Sequence, residues 1–302
     1  VEIFEWFKNK NHQVAIVIGE TGSGKSTALP YWLIYPPKGV PADFFIRDGQ
    51  ILITQPRIVA TTSIAEYMSV LLGSSVGKGF DIGYRYSKDR NTDRFNAAFL
   101  ATDRSLINMI MRGQLSDFSV IMIDEAHERS ENIDIILRLL KDQLPLYPHL
   151  KLLIVSATIN RESFLNYFGK DTAKVIEFEA KRKFDYVKHF ADESKKLPYD
   201  NPPKLRGLLV PALVEKVMWL LNEQVAGRKT LANTLAFLHG VKPIEEAVAE
   251  LKRQIAASPI LKDKIEVYPL YSDLDEKVKD LALKGSGSGK IRVIVSTNVA
   301  EA

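Results

Sequence analysis

The chain has 302 residues and a formal net charge of +4, and 46% of its residues are hydrophobic. This length is enough for two domains of about 100–200 residues each, and the mildly basic charge permits a nucleic-acid partner. The sequence contains no cysteine, which excludes a disulfide framework and a thiolate metal site. No apolar run approaches the ~20 residues of a membrane span, and the first residues show no signal-peptide pattern. We therefore expect an intracellular protein, cytoplasmic or nuclear, with no membrane partner.

The first apolar run, Val14–Ile18, leads into Gly-Glu-Thr-Gly-Ser-Gly-Lys-Ser-Thr at positions 19–27, and the helix-compatible run Ala28–Leu33 follows. This order of strand, glycine loop and helix fits the phosphate-binding pattern G-x-x-x-x-G-K-S/T. Glycines let backbone N–H groups turn toward phosphate oxygens at the positive end of a helix. The predicted nucleotide-binding residues are Gly19, Glu20, Thr21, Gly22, Ser23, Gly24, Lys25, Ser26 and Thr27.

Within this loop, Lys25 can reach the β- and γ-phosphates of a nucleotide, and the Ser26 hydroxyl can join a Mg²⁺ shell. We expect the Lys25 ammonium to be solvated when no nucleotide is bound. Pro30 should kink or shorten the helix, because proline removes a backbone donor and clashes with the preceding turn.

Short apolar runs then alternate with helical patterns. The predicted strands are Val14–Ile18, Ile51–Gln55, Phe99–Thr102, Val120–Ile123 and Lys151–Ser156, and the predicted helices are Ile58–Leu72, Arg104–Met111 and Asn132–Leu144. This alternation is typical of an α/β domain with a parallel sheet that is covered on both faces.

The fourth of these strands ends in Asp124-Glu125-Ala126-His127. Open α/β sheets bind ligands at the carboxyl ends of their strands. Asp124 is therefore placed to hold Mg²⁺ through water, and Glu125 to orient and deprotonate an attacking water. The local alternative is an acidic helix N-cap, but the upstream phosphate loop favours the catalytic interpretation.

The second half of the chain begins with a change of composition. Residues 178–188 are rich in charge and predict a crossing between domains, and residues 192–206 predict a polar, proline-containing loop. The predicted elements that follow are the helices Val210–Asn222, Pro243–Gln254 and Lys277–Leu283 and the strands Thr230–Leu238, Ile265–Leu270 and Ile291–Ser296. The Gly/Ser stretch 285–290 resembles a phosphate loop only superficially, because Ile291 follows its lysine and a strand follows the stretch. We interpret it as a flexible linker, natural or engineered.

Several blocks resemble, in order, the motifs of the DEAH/RHA group of superfamily 2 helicases. They are the phosphate loop, Thr54–Ala60, Ala101–Asp103, Asp124–Arg129, Ser156–Thr158, Phe237–Gly240 and Ser296–Glu301. The resemblance implies two tandem RecA-like parallel-sheet domains of the P-loop NTPase class, at residues 1–180 and 181–302. The second domain is expected to be incomplete, since the chain ends inside the last block and a sixth motif with arginine fingers does not appear.

The resemblance also implies a mechanism. ATP, with other nucleoside triphosphates left open, would bind with Mg²⁺ through Lys25, Ser26 and Asp124, and Glu125 would activate water. The residues that couple this site to the strand would be His127, Ser156 and Thr158, and those that contact phosphates of a single strand would be Arg57, Thr102 and Thr297. From local chemistry alone, His127 could simply begin a helix, Ser156 and Thr158 could cap a strand end, and Arg57 could form a surface salt bridge.

Three functions remain open at this stage. The first is an ATP-dependent RNA helicase or RNA–protein remodeller. The second is a translocase on single-stranded DNA or a viral genome helicase. The third is a nucleotide-gated binding module without turnover. The intact Lys25, Asp124 and Glu125 argue against it for the parent protein, and the missing arginine fingers argue for it in this chain. The partner is single-stranded nucleic acid, with RNA favoured, and the sequence does not identify any protein cofactor.

Overall fold

The computed structural model describes residues 2–20, 22–158, 160–178, 202–229 and 231–301. The chain divides into two compact units, Val1–Tyr186 and Val187–Ala302. The limit predicted between residues 180 and 181 lies outside the described residues, so it stays a prediction. The predicted charged crossing, apart from Phe178, and the first ten residues of the predicted proline-containing loop lie outside them as well.

The first unit is built of alternating strands and helices. Its strands are β1 (Val14–Ile18), β2 (Gln50–Gln55), β3 (Ile82–Tyr86), β4 (Asp89–Asn91), β5 (Ala98–Thr102), β6 (Phe118–Ile123), β7 (Lys151–Ser156) and β8 (Ala173–Glu177). Its helices are α1 (Glu2–Phe7), α2 (Lys25–Ile34), α3 (Ile58–Leu71), α4 (Asp103–Met111), α5 (Glu131–Gln143) and α6 (Arg161–Phe168). All five predicted strands and all predicted helices of this half are present, with ends that differ by a few residues.

These strands form one sheet in the order β4-β3-β5-β2-β6-β7-β1-β8. Every neighbouring pair is parallel except the β3–β4 hairpin, which is antiparallel. The predicted parallel α/β fold is confirmed. Because parallel strands end at the same edge, the carboxyl ends of β5, β2, β6, β7 and β1 lie side by side. The loops that follow these five strands contain most of the predicted site residues.

Helices cover both faces of this sheet. Ile121 of β6 packs with Ile136 of α5 in one buried cluster, whereas the next residue, Met122, packs with Leu33 of α2 in another. Since successive side chains of a strand point to opposite faces, the two clusters are the two faces of the sheet. Both faces are therefore closed to water, and ligand access is left to the strand ends.

Pro30 is expected to kink or shorten helix α2. The helix continues past Pro30 to Ile34, so Pro30 does not shorten it, and the expected kink stays a prediction. The ring removes one backbone hydrogen bond, but Leu29 and Leu33 on either side are buried in the core. Their burial holds this short helix together, since most helical stability in proteins comes from packing of an apolar face.

The second unit contains a smaller sheet. Its elements are α7 (Pro202–Val225), β9 (Thr234–Phe237), α8 (Val241–Ala257), β10 (Ile265–Leu270), α9 (Glu276–Lys284) and β11 (Ile291–Ser296). The strands run parallel in the order β10-β11-β9. Leu221 of α7, Leu251 of α8 and Val293 of β11 meet in its core. A small second α/β sheet agrees with the expected incomplete domain.

Two predictions for this unit are corrected. The predicted loop at residues 192–206 is helix from Pro202 onward. Proline is favoured in the first turn of a helix, where its missing N–H would have no partner anyway. The strand predicted from Thr230 begins only at Thr234.

The Gly/Ser stretch before β11 is a turn and not a phosphate loop. Gly285, Gly287 and Gly289 all have positive φ angles, between 72° and 82°. The hydroxyls of Ser286 and Ser288 donate to the Glu266 carboxylate. No helix in the described part of the chain combines the length and apolar character that crossing a membrane requires.

Candidate active site

The predicted phosphate loop connects β1 to α2, as its pattern requires. Gly22 and Gly24 have φ angles of 77° and 85°, which L-residues with side chains rarely adopt. Gly19 is needed for space, because a Cβ there would lie 2.6 Å from the carbonyl oxygen of Phe178. Of the nine predicted residues, Thr21 lies outside the described part of the chain. Of the other eight, the five up to Gly24 form the loop, and Lys25, Ser26 and Thr27 are the first residues of α2.

Lys25 is the first residue of α2 and is only 6% exposed. Its ammonium donates to the carbonyl oxygen of Glu20 at 2.6 Å and to Ser23 Oγ at 3.3 Å. Burial lowers the pKa of Lys25, and the nearby carboxylates of Glu125, Asp124 and Glu20 oppose this change. The expectation of a solvated ammonium is therefore wrong: the loop wraps the lysine with its own oxygen atoms.

Asp124 directly follows β6 and is 1% exposed. Its Oδ2 accepts a hydrogen bond from Gln55 Nε2 at 2.7 Å, and its Oδ1 accepts one from the Glu125 N–H at 2.9 Å. Burial raises the pKa of the Asp124 carboxyl, while hydrogen bonds from Ser26, Gln55 and the Glu125 backbone and the Lys25 charge oppose the rise. The structure thus brings together the three side chains predicted to hold a nucleotide and its metal ion, those of Lys25, Ser26 and Asp124.

Glu125 follows with a left-handed backbone, at φ 53° and ψ 35°. Such a conformation is uncommon for a residue with a side chain, and it redirects the chain at the strand end. Burial raises the pKa of the Glu125 carboxyl, and the Asp124 charge adds to the rise, while His127 and Lys25 act against it. A carboxylate with a raised pKa is a stronger base, which suits the predicted role of Glu125.

The His127 ring lies between two different groups. Its Nδ1 is 3.3 Å from Glu125 Oε2 and 3.4 Å from the backbone nitrogen of Ala157. To bind a carboxylate, Nδ1 must carry a proton and donate it in a hydrogen bond. To bind the Ala157 N–H, Nδ1 must be unprotonated and accept a hydrogen bond. The two contacts are therefore mutually exclusive, and the His127 proton decides between them.

The loop after β7 holds the other two predicted coupling residues. Ser156 is fully buried, and its hydroxyl donates to the Thr158 carbonyl oxygen at 3.0 Å. The Thr158 side chain is exposed. Ser156 therefore shapes the turn, as its strand-cap alternative predicts, and Ala157 within this turn is the residue that approaches His127.

Two of the predicted strand-contact residues lie at the ends of adjacent strands: Thr102 is the last residue of β5, and Arg57 follows β2. Gln55 of β2 pairs with Thr102 of β5, so Arg57 and Thr102 lie at the same edge of the sheet. The Arg57 guanidinium lies 3.0 Å from Glu128 Oε1, in a pair whose side chains are 15% and 29% exposed. The predicted alternative for Arg57, a salt bridge, is thus present. The Thr102 hydroxyl shares a hydrogen bond with Ser105 Oγ at 2.9 Å.

Thr297 belongs to the second unit, directly after β11. Its backbone N–H donates to the Leu270 carbonyl oxygen at 3.2 Å, and its Oγ1 accepts from the Val299 N–H at 3.4 Å. These contacts hold the first turn after the strand, at the carboxyl end of the smaller sheet. Thr297 therefore occupies in its own unit the kind of position that Thr102 occupies in the first.

The sequence did not single out a buried polar pair beside this site. Asp103 is 3% exposed and Thr54 is fully buried, yet neither Asp103 Oδ1 nor Thr54 Oγ1 has a hydrogen-bond partner. Burial raises the pKa of Asp103 to about 6, and the charges of Glu128 and Asp124 add to the rise. The Thr54 side chain beside the carboxyl opposes it. The sequence does show both residues at strand ends, but an aspartate at the first position of a helix is ordinarily exposed. Only the packing reveals that Asp103 is buried.

The fit to Mg²⁺ follows from the donor set. No group of three or more His, Asp or Glu side chains able to hold a metal occurs among the described residues. Mg²⁺ at nucleotide sites is commonly held by one or two protein oxygens together with phosphates and water. The Ser26 hydroxyl and the Asp124 carboxylate are such a pair, so the residues fit.

A phosphate loop beside a buried aspartate, at the carboxyl edge of a parallel sheet, defines a P-loop nucleoside triphosphatase. Residues 2–165 match the family model described as DEAD/DEAH box helicase, which is more than half of the chain. The chain belongs to this family, whose members use nucleotides and act on nucleic acid.

Comparisons with whole proteins support the same family. The chain is 35% identical over 296 residues to the ATP-dependent RNA helicase HrpA of Borreliella burgdorferi, covering 97% of this chain and 32% of that protein. It is 32% identical to the "Probable ATP-dependent RNA helicase DHX35 homolog" of Caenorhabditis elegans, covering 98% and 39%. The crystal structure of the Escherichia coli DEAH/RHA helicase HrpB matches with a TM-score of 0.73 at 25% identity, covering 99% and 34%. The chain thus spans about a third of the length of these relatives.

Proposed function

We propose that this chain is the motor core of an ATP-dependent helicase that acts on single-stranded RNA, with RecA-like domains at residues 1–180 and 181–302. One observation supports this most directly. The phosphate loop, the carboxylates after β6 and the turn after β7 lie next to one another. The charges of Glu125 and Asp124 act on Lys25, and His127 Nδ1 lies 3.3 Å from Glu125 Oε2 and 3.4 Å from the Ala157 nitrogen. Nucleotide binding, hydrolysis and a signal to the rest of the molecule all require such a connection.

In this proposal the phosphate loop binds ATP, and other nucleoside triphosphates remain open. Lys25 would exchange the Glu20 carbonyl and the Ser23 hydroxyl for the β- and γ-phosphates. Ser26 and Asp124 would hold Mg²⁺, which when bound neutralises charge on the phosphates. Gln55 positions Asp124, because its side-chain amide occupies one carboxylate oxygen at 2.7 Å.

Glu125 is the proposed base for hydrolysis. It would take a proton from the attacking water while Lys25 stabilises the charge that develops on the γ-phosphate. Its left-handed backbone, at φ 53°, turns the chain directly after the buried Asp124.

His127 is the proposed link to the strand-binding side. When the imidazole carries a proton on Nδ1 it favours Glu125, and when Nδ1 is free it accepts from Ala157. Any change at Glu125 during hydrolysis would therefore shift the turn formed by Ser156 and Thr158.

Arg57 and Thr102 of the first unit and Thr297 of the second are the proposed phosphate contacts. Such contacts position a strand without reading its sequence. Arg57 would exchange Glu128 for a phosphate oxygen, which is a similar charge-assisted partner. RNA is proposed over DNA because the names of the similar proteins describe them as RNA helicases or probable RNA helicases. Protein cofactors are compatible with this function, and none is identified.

ATP turnover measured with and without single-stranded RNA or DNA of one sequence tests this function. Stimulation by RNA supports the proposal. Stimulation by DNA alone would favour the DNA translocase or viral helicase. Binding of nucleotide and strand without any turnover would favour the binding module.

A further inference from the structure

A cavity of about 660 Å³ lies on the α4 side of the sheet, where the β3–β4 hairpin forms one edge. Four arginines line it, namely Arg47, Arg85, Arg90 and Arg94. The strand order places β3 five strands away from β1, which at ~4.8 Å for each step is about 24 Å. The cavity is therefore separate from the phosphate loop.

Arg85 of β3 and Arg90 of β4 are direct cross-strand partners. Residues in that relation share one face of the hairpin, and like charges there destabilise the pair. Burial lowers the pKa of Arg85, and the charges of Arg90 and Arg112 lower it further. The hairpin thus places two guanidinium groups on the cavity side at a cost to its own stability.

Two carboxylates line the cavity, and they offset only part of the charge of the four arginines. Asp93 lines it, but its oxygens accept from the backbone N–H groups of Gly79 and Phe95. Asp117 lines it as well. Arg85, Arg90 and Arg94 form no ion pair with any residue in the described part of the chain. Arg47 differs, since Asp43 binds its guanidinium at 2.8 and 2.9 Å.

The shape and the remaining lining indicate the kind of anion. The volume lies within the range of small-molecule sites. Phe95, which is 70% exposed, lies at the rim with the Arg94 guanidinium 5.0 Å from its ring centre. A guanidinium group can bind a phosphate through two parallel N–H···O hydrogen bonds. An exposed aromatic ring offers a surface on which a nucleic-acid base can stack.

We propose that this cavity is a second anion site that binds the phosphate of a nucleotide unit through Arg85, Arg90 and Arg94. The phosphate comes either from a free nucleotide or from a nucleic-acid strand. The site is independent of ATP hydrolysis at the phosphate loop.

The test compares the Arg85→Gln/Arg90→Gln double variant with an Arg138→Gln/Arg253→Gln control. The control removes the same charge from exposed arginines elsewhere, each of which pairs with a nearby carboxylate. Both are made in a Lys25→Ala background, so that the phosphate loop does not dominate binding. Calorimetric titration with uridine diphosphate, and separately with a single-stranded RNA oligonucleotide, measures affinity.

The hairpin variant should lose about tenfold to hundredfold in affinity for at least one probe, and the control should lose much less. Loss with uridine diphosphate assigns the site to free nucleotides, and loss with the oligonucleotide alone assigns it to a strand. Equal affinities of the two variants for both probes would overturn the site. A melting temperature of the hairpin variant at or above that of its parent, expected on removing a like-charge pair, shows that it folds. A single Arg94→Gln change, which keeps the hairpin pair, should weaken the same probe and gives a second check.

Discussion

At the scale of single residues, the site depends on how burial changes acids and bases. Glu125 and Asp124 are adjacent carboxyls, and burial raises the pKa of each. Asp124 accepts hydrogen bonds on both oxygens, whereas Glu125 Oε2 lies 3.3 Å from His127 Nδ1. This difference separates a ligand-holding carboxylate from a base.

Replacing Glu125 with Gln should leave Mg-ATP binding nearly intact and collapse hydrolysis. The amide has the same shape but cannot take a proton from water. Nucleotide affinity measured beside turnover tests this, with Glu131→Gln, an exposed first-turn residue of α5, as the control. Turnover within about threefold of the parent, less than 1 kcal/mol of barrier, would refute the assignment.

Replacing Lys25 with Ala should abolish turnover and weaken nucleotide binding, because the charge beside the β- and γ-phosphates is lost. Stability without nucleotide should change by less than about 1 kcal/mol, since two hydrogen bonds and the cost of burying the ammonium disappear together. Lys290→Ala, in the Gly/Ser turn, is the matched control and should behave as the parent. A large fall in the melting temperature for Lys25→Ala would instead mark a structural lysine.

Replacing Asp103 with Asn should stabilise the protein at neutral pH. The folded pKa is about 6 against an ordinary 3.8, so the folded state binds more protons, and stability falls as pH rises from about 4 to 6. The rise corresponds to about 3 kcal/mol, at ~1.4 kcal/mol for each pH unit. Chemical unfolding at pH 4.5 and 7.5 tests this. The slope should shrink in the variant, and an unchanged slope would show that Asp103 titrates normally.

At the scale of elements, the sheet edge explains why distant blocks of sequence act together. Five parallel strands end side by side, so the loops after β1, β2, β5, β6 and β7 share one edge. The turn after β6 is bounded by two left-handed residues, Glu125 and Arg129, at φ 53° and 47°. This strained turn points Glu128 at Arg57, the N-cap of α3.

Replacing Glu128 with Gln should tighten strand binding by about fivefold, because a partly exposed ion pair worth ~1 kcal/mol no longer competes for Arg57. An Arg57→Ala/Glu128→Gln double variant should show no such gain over Arg57→Ala alone. Oligonucleotide titrations of the four proteins form a double-mutant cycle. A gain that persists without Arg57 would mean that Glu128 simply repels the strand.

At the scale of the whole molecule, the proposed strand path involves both compact units. Arg57 lies at the carboxyl edge of the larger sheet, and Thr297 follows β11 in the smaller one. Phosphate contacts in both units would make strand binding depend on salt and nearly independent of sequence.

Arg57→Ala should lower the slope of log affinity against log salt by about 0.7, the value for one phosphate of a single strand. Basal turnover should survive, while turnover stimulated by the strand should fall. Salt titrations on RNA and DNA of one sequence, with Arg138→Ala as an exposed control, measure this. An unchanged slope would remove Arg57 from the path, and tighter binding to RNA would support the proposed substrate.

Much of this protein was determined by its sequence alone. Residues that are close together in the chain were enough to predict the phosphate loop, the strand-end carboxylates and the parallel α/β pattern. Both ends of strand β1 were predicted correctly. Helix α6 and strand β8 were not predicted, because their short amphipathic patterns acquire meaning only beside β1. The start of α7 at Pro202 was missed for a similar reason, since prolines suit both a loop and a first helical turn.

Tertiary structure alone decided the contacts between distant segments. Residues from different strand ends meet in the hydrogen bond from Gln55 to Asp124 and in the ion pair of Arg57 with Glu128. The burial of Asp103 likewise depends on the elements packed around it. Sequence patterns report which face of an element is apolar. They do not report which polar groups meet at a sheet edge, because that follows from strand order. The order β5-β2-β6-β7-β1, different from the order along the chain, made these loops neighbours.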